Sequence, residues 1–592
     1  MALMLAYQGL YYNPRKAKYD EAMRAKRAQE QLSTPAPHDS LGSGRPSEAD
    51  TLLATSAPVS TADSAAVGAA VEGFPLAQND QARLITVRTP LFDIAITTLG
   101  AEIVSTRLTR FQTGGKPVEL IAQDDTPGVG GIADVTLLGE EKTFPLSGLV
   151  FEAFADGAPV PIGDGANGTT IAVETGSPEK TLTFRVSSPD GRQIERYYRF
   201  TPDSYVVHSG VRFGAAQLPF VRSVRWGLGS GICPTEADPS QDYTAQRASL
   251  RLGDEYYRMK KGDFDEKRPG MVHWVTLQVK YFIVALMAPT PMGGDARLQG
   301  RKSDGFMTAW MQLPTSAHQG QVDQAVELYL GPIDFDGLKA MGRGLEKNVD
   351  LGNKYFRPVS WAVLWSLLNL HKFIPNYGIV ILILSVFTKI LFYRLTHKSF
   401  KSMREMQALQ PKLQALKAKF KDDRQRLSQE TMKLYKEAGV NPLGGCLPMV
   451  LQMPVFIALF NVLRNTIELR QAPFVGWIND LSQQDVLAKL PLSLPFIGDA
   501  VSVLPILMGA GMLFQSKMGG SITGSETAPG QSKMMMYMMP IVFTVLFYKM
   551  PSGLVIYWIV NTVLSIGQQY YINKGAEKAE RAKAQADAMK SG

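Results

Sequence analysis

Cysteine and histidine are scarce in this chain of 592 residues. The two cysteines, Cys233 and Cys446, are far apart, and the second lies at the mouth of an apolar run, so no disulfide framework is expected. The six histidines are scattered, without H-E-x-x-H or another paired-ligand spacing. We therefore predict no metal site and no cofactor.

Motifs of enzyme active sites are also missing. There is no G-x-S-x-G elbow and no Walker loop. Residues 163–168 match G-x-G-x-x-G, but a dinucleotide site needs a helix that opens on the glycines, and residues 169–174 have the pattern of a strand. We interpret this motif as a hairpin loop and predict that the protein is not an enzyme.

Long apolar runs are absent from residues 1–350 but frequent within 376–572. The net charge is +8. In a protein with such runs, this charge indicates cytoplasmic loops rich in lysine and arginine and no specific binding of nucleic acid.

The N-terminal region combines a short apolar stretch with a polar one. Residues 1–12 are apolar, but a membrane span needs about 20 residues. They also lack the basic region and cleavage site of a signal peptide. We expect 1–31 to be the remnant of an N-terminal span and a charged helix, with roughly 10–20 residues missing upstream. Residues 32–80, rich in Ser, Thr, Ala, Pro and Gly, predict a flexible linker.

Residues 81–336 are typical of an all-β domain. Segments 83–88 and 181–186 alternate apolar and polar residues, and turn signals such as 189–191 separate such segments. This pattern predicts a β-sandwich or a β-barrel. Residues 337–375 form a bridge, in which 359–374 is predicted to be an amphipathic helix lying flat at the membrane surface. A plain buried helix is the alternative.

Residues 376–573 are predicted to be a helical membrane core. Five apolar stretches give the candidate spans 376–396, 445–466, 499–517, 534–550 and 552–572. Segment 397–437 and the tail 574–592 are rich in lysine and arginine and are therefore placed in the cytoplasm, which leaves the β domain outside. Segment 397–437 predicts two short antiparallel helices. This hairpin is either a docking site or only a determinant of topology, and both interpretations stay open.

Lys389 is the one charge within the first long apolar run, 379–392. A lysine in hydrocarbon costs about 2.5–3.5 kcal/mol on insertion scales. A hydrated cavity open to the cytoplasm would explain it. Lys389 also precedes Arg394 by five residues, about 7.5 Å along a helix, so snorkelling to the interface is the alternative.

Four stretches resemble the signature segments of the YidC/Oxa family of membrane protein insertases. They are N-P-L-G-G-C-L-P-M-V-L-Q-M-P-V-F at 441–456, E-L-R-Q-A-P-F at 468–474, P-S-G-L-V-I-Y-W at 551–558 and Q-P-K at 410–412. The resemblance covers about 355–575. The preceding domain is similar to the large periplasmic domain of the Gram-negative members, a β-supersandwich.

This resemblance implies a multi-pass protein of the bacterial inner membrane with its β domain in the periplasm and its C-terminus in the cytoplasm. It would insert inner-membrane proteins and help them fold, alone or with the Sec translocon. The implied partners are nascent membrane proteins, the Sec translocon and the lipid bilayer. The ribosome, or the signal recognition particle and its receptor, would bind through 397–437 and the basic tail.

The resemblance also implies a hydrophilic groove with a positive charge, a role that falls on Lys389, where the family usually has arginine. A lysine keeps the charge but loses the bidentate fork. The other implied groove residues are Ser385, Gln452, Tyr557 and Asn561. The implied apolar contacts with substrate are Phe456, Met508, Leu546 and Trp558. The alternatives are a transporter or channel whose external β domain captures a ligand, and an anchored envelope scaffold.

Overall fold

The computed structural model describes residues 74, 82–121, 131–161, 168–303, 305–420, 423–440, 447–494, 498–518 and 531–591. Several sequence predictions lie outside these residues: the span remnant and charged helix in 1–31, the linker 32–80 apart from Phe74, the loop 163–167 and Cys446.

Twenty strands form one hydrogen-bonded network between residues 84 and 332 of the described chain. They are β1 (Leu84–Arg88), β2 (Phe92–Thr97), β3 (Ile103–Thr113), β4 (Lys116–Glu119), β5 (Ile132–Leu138), β6 (Thr143–Pro145), β7 (Glu152–Ala155), β8 (Ala158–Pro159), β9 (Thr169–Ala172), β10 (Lys180–Ser187), β11 (Gln193–Phe200), β12 (Val206–Gly214), β13 (Ser223–Leu228), β14 (Arg247–Leu252), β15 (Glu255–Lys260), β16 (Phe264–Gln278), β17 (Phe282–Gly300), β18 (Met307–Pro314), β19 (Ala317–His318) and β20 (Gln321–Pro332).

The pairings arrange seventeen of these strands in two series that share β17, while β4, β6 and β19 pair with β3, β5 and β20 at the side. One series runs β8, β7, β10, β11, β12, β20, β17, β16, β14, β15. The other runs β9, β1, β2, β3, β5, β13, β18, β17. The first part of β17, from Phe282 to Met287, pairs with β20, and the last part, from Asp295 to Gly300, pairs with β18. The long strand therefore joins the two series.

Both series contribute to one hydrophobic core. Phe92 and Ile94 of β2 and Leu182 and Phe184 of β10 are buried in the same cluster. In each of these strands burial alternates with exposure, because successive side chains point to opposite faces. Two strand series around one core are the packing that the alternating segments predict for a β-sandwich.

The described helices are α1 (Pro239–Ala245), α2 (Phe335–Ala340), α3 (Arg357–His371), α4 (Tyr377–Leu391), α5 (Tyr393–Ala408), α6 (Gln410–Lys419), α7 (Arg424–Glu437), α8 (Leu447–Asn465), α9 (Leu504–Met518), α10 (Gln531–Phe547) and α11 (Ser552–Ser591). A small hairpin of β21 (Ala488–Leu494) and β22 (Gly498–Val501) precedes α9.

The helix bounds change three predictions. The stretch 499–517 begins on β22, and its helix starts only at Leu504. Segment 397–437 contains the end of α5 and the helices α6 and α7, and not two helices, because Pro411 lacks an amide hydrogen and favours a new helix start. The last stretch, 552–572, continues as helix to Ser591.

A helix can cross a membrane by itself only if it is both long enough and apolar enough. Within the described ranges no helix taken alone meets both criteria, whereas Tyr377–Leu391 and Tyr393–Met406 meet them as a pair bent by 63°. The five spans stay a prediction.

The β domain and the helices meet at a buried ion pair. Arg470, which follows α8, lies 2.7 Å from Glu236 of the β domain, and the two side chains are only 3% and 7% exposed. Arg470 also donates to the carbonyl of Gln112 at 2.9 Å and to Oγ1 of Thr113 at 2.7 Å. The neighbouring Ile467 is buried in the core of the β domain. The two parts of the chain are therefore held together by charge, hydrogen bonds and apolar packing.

Candidate functional site

Helix α4 places Lys389 among the other helices. The helix begins where the side chain of Asn376 accepts a hydrogen bond from the amide of Ile379 at 3.1 Å, an N-cap. Close packing fixes this end, because a Cβ on Gly378 would lie 2.0 Å from the ring of Phe474. Lys389 lies in the last turn, before the helix ends at Leu391.

The ammonium of Lys389 has a neutral partner. Its Nζ donates to Oγ of Ser565 on α11 at 2.6 Å and lies 5.9 Å from the centre of the Phe400 ring. No carboxylate of the described residues lies within 4.0 Å of it. Lys389 is half-buried, whereas the adjacent Ile390 is 68% exposed and faces outward. The charge therefore points between helices and has no resident counter-ion in the described chain.

Gln452, Tyr557 and Asn561 lie together beside Lys389. Gln452 of α8 donates from Nε2 to the hydroxyl of Tyr557 at 3.1 Å. Asn561 donates to the carbonyl of Tyr557 at 2.9 Å, and Ser565 donates to the carbonyl of Asn561 at 2.7 Å. These contacts form a continuous polar strip, by which we mean Lys389, Gln452, Tyr557, Asn561 and Ser565, across α4, α8 and α11.

Ser385 lies on the same face of α4 but bonds within its own helix. Its hydroxyl donates to the carbonyl of Ile381 at 2.7 Å, and Thr388 donates to the carbonyl of Ser385 at 2.9 Å. Residues four apart on a helix are neighbours, so Ser385 is next to Lys389. In this conformation Ser385 is fully buried, and its hydroxyl is not directed at the strip.

The sequence prediction missed Ser565 and Thr388. Thr388 is buried on α4 beside Lys389, and its hydroxyl donates to the carbonyl of Ser385 at 2.9 Å. Spacing was the available signal, since Ser565 follows Asn561 by one helical turn and Thr388 precedes Lys389 directly.

The four predicted apolar contact residues do not form one surface. Phe456 and Trp558 are in contact, with ring centres 5.3 Å apart, and both pack on Phe547. Met508 is fully buried in the core of the helical region, whereas Leu546 is 57% exposed. Only the aromatic pair lies close enough together to form a common apolar wall.

The chemistry of the site is that of binding. It offers one cation, one phenol, two amides and one hydroxyl, without a paired nucleophile and base. Across the described residues, no group of three or more His, Cys, Asp or Glu side chains has the arrangement of a metal site. A cation with neutral hydrogen-bonding neighbours attracts an acidic or strongly polar group.

Comparison with known proteins defines first a class and then a family. Residues 369–580 match the protein family described as "60Kd inner membrane protein", and residues 84–361 match the family described as "YidC periplasmic domain". The class is thus an inner-membrane helical region preceded by a periplasmic β domain.

Individual relatives agree over most of the chain. The membrane protein insertase YidC of Syntrophus aciditrophicus is 36% identical over 510 residues, 85% of this chain and 87% of that protein. The YidC of Pelobacter propionicus is 36% identical over 536 residues, 88% of this chain and 92% of that protein. A crystal structure of an active YidC insertase with its first transmembrane domain resolved covers 85% of this chain and 95% of its own, with a TM-score of 0.36 and 18% identity. The chain belongs to the YidC family of membrane protein insertases, which confirms the resemblance found in the sequence.

Proposed function

We propose that this protein is a membrane protein insertase that receives segments of nascent inner-membrane proteins at the polar strip. The observation that supports this function best is Lys389, a half-buried cation bonded to Ser565 and without a carboxylate within 4.0 Å among the described residues. A permanent counter-ion would neutralise the charge, whereas a neutral hydroxyl leaves it available to a substrate.

Elementary energetics supports the proposal. The barrier to insertion is the desolvation of the polar segment that must cross, and a hydrated strip shortens the dry distance. Acidic groups of that segment would be attracted to Lys389 for a short time. The apolar helix of the substrate gains about 0.3–0.6 kcal/mol per Leu, Ile, Phe or Val when it enters lipid, so no nucleotide is needed.

The remaining roles of the site belong to the same proposal. Phe456 and Trp558 would form the apolar wall for the substrate helix, and the exposed Leu546 would contact the substrate separately from this wall. Met508 would contribute through packing. We also propose five spans, a cytoplasmic C-terminus and no catalytic activity, in line with the positive charges of 397–437 and 574–592. The Sec translocon, the ribosome and the signal recognition particle with its receptor are proposed partners.

The test compares Lys389→Arg, Lys389→Ala and Lys389→Glu with the wild type in cells depleted of their own insertase. The readout is the fraction of a reporter whose translocated segment becomes protease-accessible from the periplasm. Two reporters are used, one with acidic residues in that segment and one with the matching amides. We expect Arg to preserve insertion, and Ala and Glu to lower it about tenfold for the acidic reporter, a factor equivalent to about 1.4 kcal/mol.

Lys398→Ala is the matched control, because Lys398 is an exposed cation on α5 near the same end of the helices. It should leave both reporters unchanged. Equal insertion by all four proteins would rule out the role of the charge.

A further inference from the structure

A cavity of about 300 Å³ lies where the β domain meets the end of α8. The β domain contributes Arg247 of β14 and Lys280, which follows β16. Helix α8 contributes Phe460 and Arg464, and the segment before α3 contributes Asp350. The cavity is distinct from the polar strip, since it is lined by none of the strip residues.

Positive charge predominates in this cavity. Three of the lining side chains, Arg247, Lys280 and Arg464, are cations, against the single carboxylate of Asp350. Among the described residues, none of the three cations has a carboxylate within 4.0 Å. Basic side chains elsewhere in the β domain are often paired, as in Arg212 with Asp323 at 2.8 Å. An anion would therefore supply a missing charge here.

Each cation keeps hydrogen-bond donors for a ligand. Arg247 uses Nη1 on the carbonyls of Thr244 and Gln246, at 2.8 and 2.7 Å, and its buried Nε has no partner among the described residues. Lys280 uses one of its three protons on Oε1 of Gln241 at 2.7 Å. Burial lowers the pKa of Lys280 to about 8. The carboxylates of Glu236, Asp480 and Asp242 act in the opposite direction, but none lies within 4.0 Å of the ammonium.

The third cation, Arg464, stacks over Phe460 with 5.6 Å between the guanidinium and the ring centre. This contact fixes the plane of the guanidinium but occupies none of its hydrogens. Arginine binds phosphate through two parallel hydrogen bonds, whereas lysine binds it as a point charge. The cavity therefore offers two arginines, Arg247 and Arg464, and one lysine, Lys280.

The end of α8 that lines the cavity contacts a segment with the sequence features of a membrane interface. Arg464 is the penultimate residue of α8, and Asn465 donates to the carbonyl of Asp350 at 3.0 Å. From Asp350 the chain continues into α3. This helix exposes Trp361 and Trp365, and tryptophan is enriched at membrane–water interfaces. A phosphate at the end of α8 would therefore be within reach of a phospholipid in the outer leaflet.

We propose that this cavity binds a phosphate group, carried by a phospholipid headgroup or present as free phosphate. This site goes beyond the insertase function and does not depend on it. Binding would place an anion between Arg247, Lys280 and Arg464 and would link the β domain to α8.

The test uses the full-length protein in a non-ionic detergent with three probes: inorganic phosphate, dioctanoyl phosphatidylglycerol and dioctanoylglycerol, which lacks the phosphate. Native mass spectrometry and titration calorimetry measure binding. We expect phosphatidylglycerol, inorganic phosphate or both to bind the wild type, and Arg464→Gln and Lys280→Gln to weaken that binding about tenfold or more, because each removes a charge-assisted hydrogen bond.

Two further variants separate charge from folding. Arg464→Lys keeps the charge but loses the bidentate fork, so it should bind more weakly than the wild type and more tightly than Arg464→Gln. Lys354→Gln removes an exposed lysine of the same segment and should have no effect. Tighter binding of phosphatidylglycerol than of phosphate identifies the lipid as the source, and the reverse order identifies free phosphate. If neither phosphate-containing probe binds, or if both glutamine variants bind like the wild type, the proposal is wrong.

Discussion

Lys389 and Ser565, 176 residues apart in the chain, are joined by a hydrogen bond of 2.6 Å. The hydroxyl that accepts from the ammonium donates in turn to the carbonyl of Asn561 at 2.7 Å. The cation on α4 is thus oriented by a neutral hydroxyl on a different helix, α11. Whether water reaches this pair decides how the strip works, and substitution of Ser565 tests that point.

We expect Ser565→Ala to lower insertion of the acidic reporter by less than about threefold, because water in a hydrated groove replaces the lost hydroxyl. In a dry site, removal of a partner from a charged group costs about 1.5–3 kcal/mol, which corresponds to at least a tenfold loss. Translocation of the reporter is the measurement. Ser516→Ala is the control, since among the described residues Ser516 donates only to the carbonyl of Met512 on its own helix, α9. A tenfold loss in Ser565→Ala alone would contradict a hydrated groove.

Two cysteine variants test whether water reaches position 389 from the cytoplasmic side. With Cys233 and Cys446 changed to serine, we expect a cysteine in Lys389→Cys to react with a membrane-impermeant maleimide added from the cytoplasmic side. Ile390→Cys should react far more slowly, since Ile390 is 68% exposed toward the surface that lipid would cover. Thiols react as thiolates, and a thiolate needs water. Equal labelling of both variants would show that the two positions share one environment.

The ion pair between Arg470 and Glu236 predicts a large effect of single substitutions. Glu236→Ala leaves the buried guanidinium unpaired and should destabilise the contact between the β domain and the helices by about 3–5 kcal/mol. Hydrogen exchange at Thr113 and limited proteolysis measure the loosening. The double variant Glu236→Leu with Arg470→Met should recover most of the loss, because it removes both members of the pair and leaves neither charge without its partner.

An exposed pair is the control for this experiment. Arg88 and Asp93 lie 3.2 Å apart with side chains 61% and 24% exposed, and Asp93→Ala should cost at most about 1 kcal/mol. If Glu236→Ala is as mild as Asp93→Ala, the pair does not hold the two parts together.

Asp134 predicts a dependence of stability on pH. Burial, and then repulsion by Glu102, raise its pKa from 3.8 to about 7. The folded form therefore binds the proton more strongly than the unfolded form. The contribution of Asp134 to the free energy of unfolding is fully present below about pH 4. It is lost as the pH rises to 7, by at most about 1.4 kcal/mol per pH unit.

We expect Asp134→Asn to reduce this loss, because an amide carries no proton to release. A part of the loss should remain, because burial also raises the pKa of the neighbouring Glu102. The difference in Tm between pH 5.5 and pH 7.5 is the measurement, with the wild type and the variant compared in the same buffers. An unchanged difference in the variant would show that Asp134 does not cause the pH dependence.

Much of the polar strip could be predicted because charge and amides stand out within apolar runs. Lys389, Gln452, Tyr557 and Asn561 do lie together. The spacing of Ser565 from Asn561 was a weak signal, because serine is common in helices and its role depends on which face of α11 meets α4. The burial of Met508 could not be predicted either, since a helix that is apolar on all sides does not show which side faces the protein.

Strand alternation predicts the β domain, but turn signals mislead in the long strand β17. Pro289, Pro291 and Gly293 would normally end a strand. The strand continues nevertheless, because β16 pairs with both halves of it and shifts register opposite the prolines. On its other side β17 leaves β20 here and then pairs with β18. A change of partner is a property of the whole sheet and has no local signature.

Glu236 and Arg470 are separated by 234 residues. Since the chain is synthesised from its N-terminus, the β strands up to Pro332 are complete well before Arg470 leaves the ribosome. During this interval the carboxylate of Glu236 stays hydrated. Its ion pair forms only when Arg470 has been synthesised and has reached the β domain. Maturation of the β domain therefore reports that α8 has been delivered to its final place, and an antibody specific for the finished surface around Gln112 would time this step in growing cells.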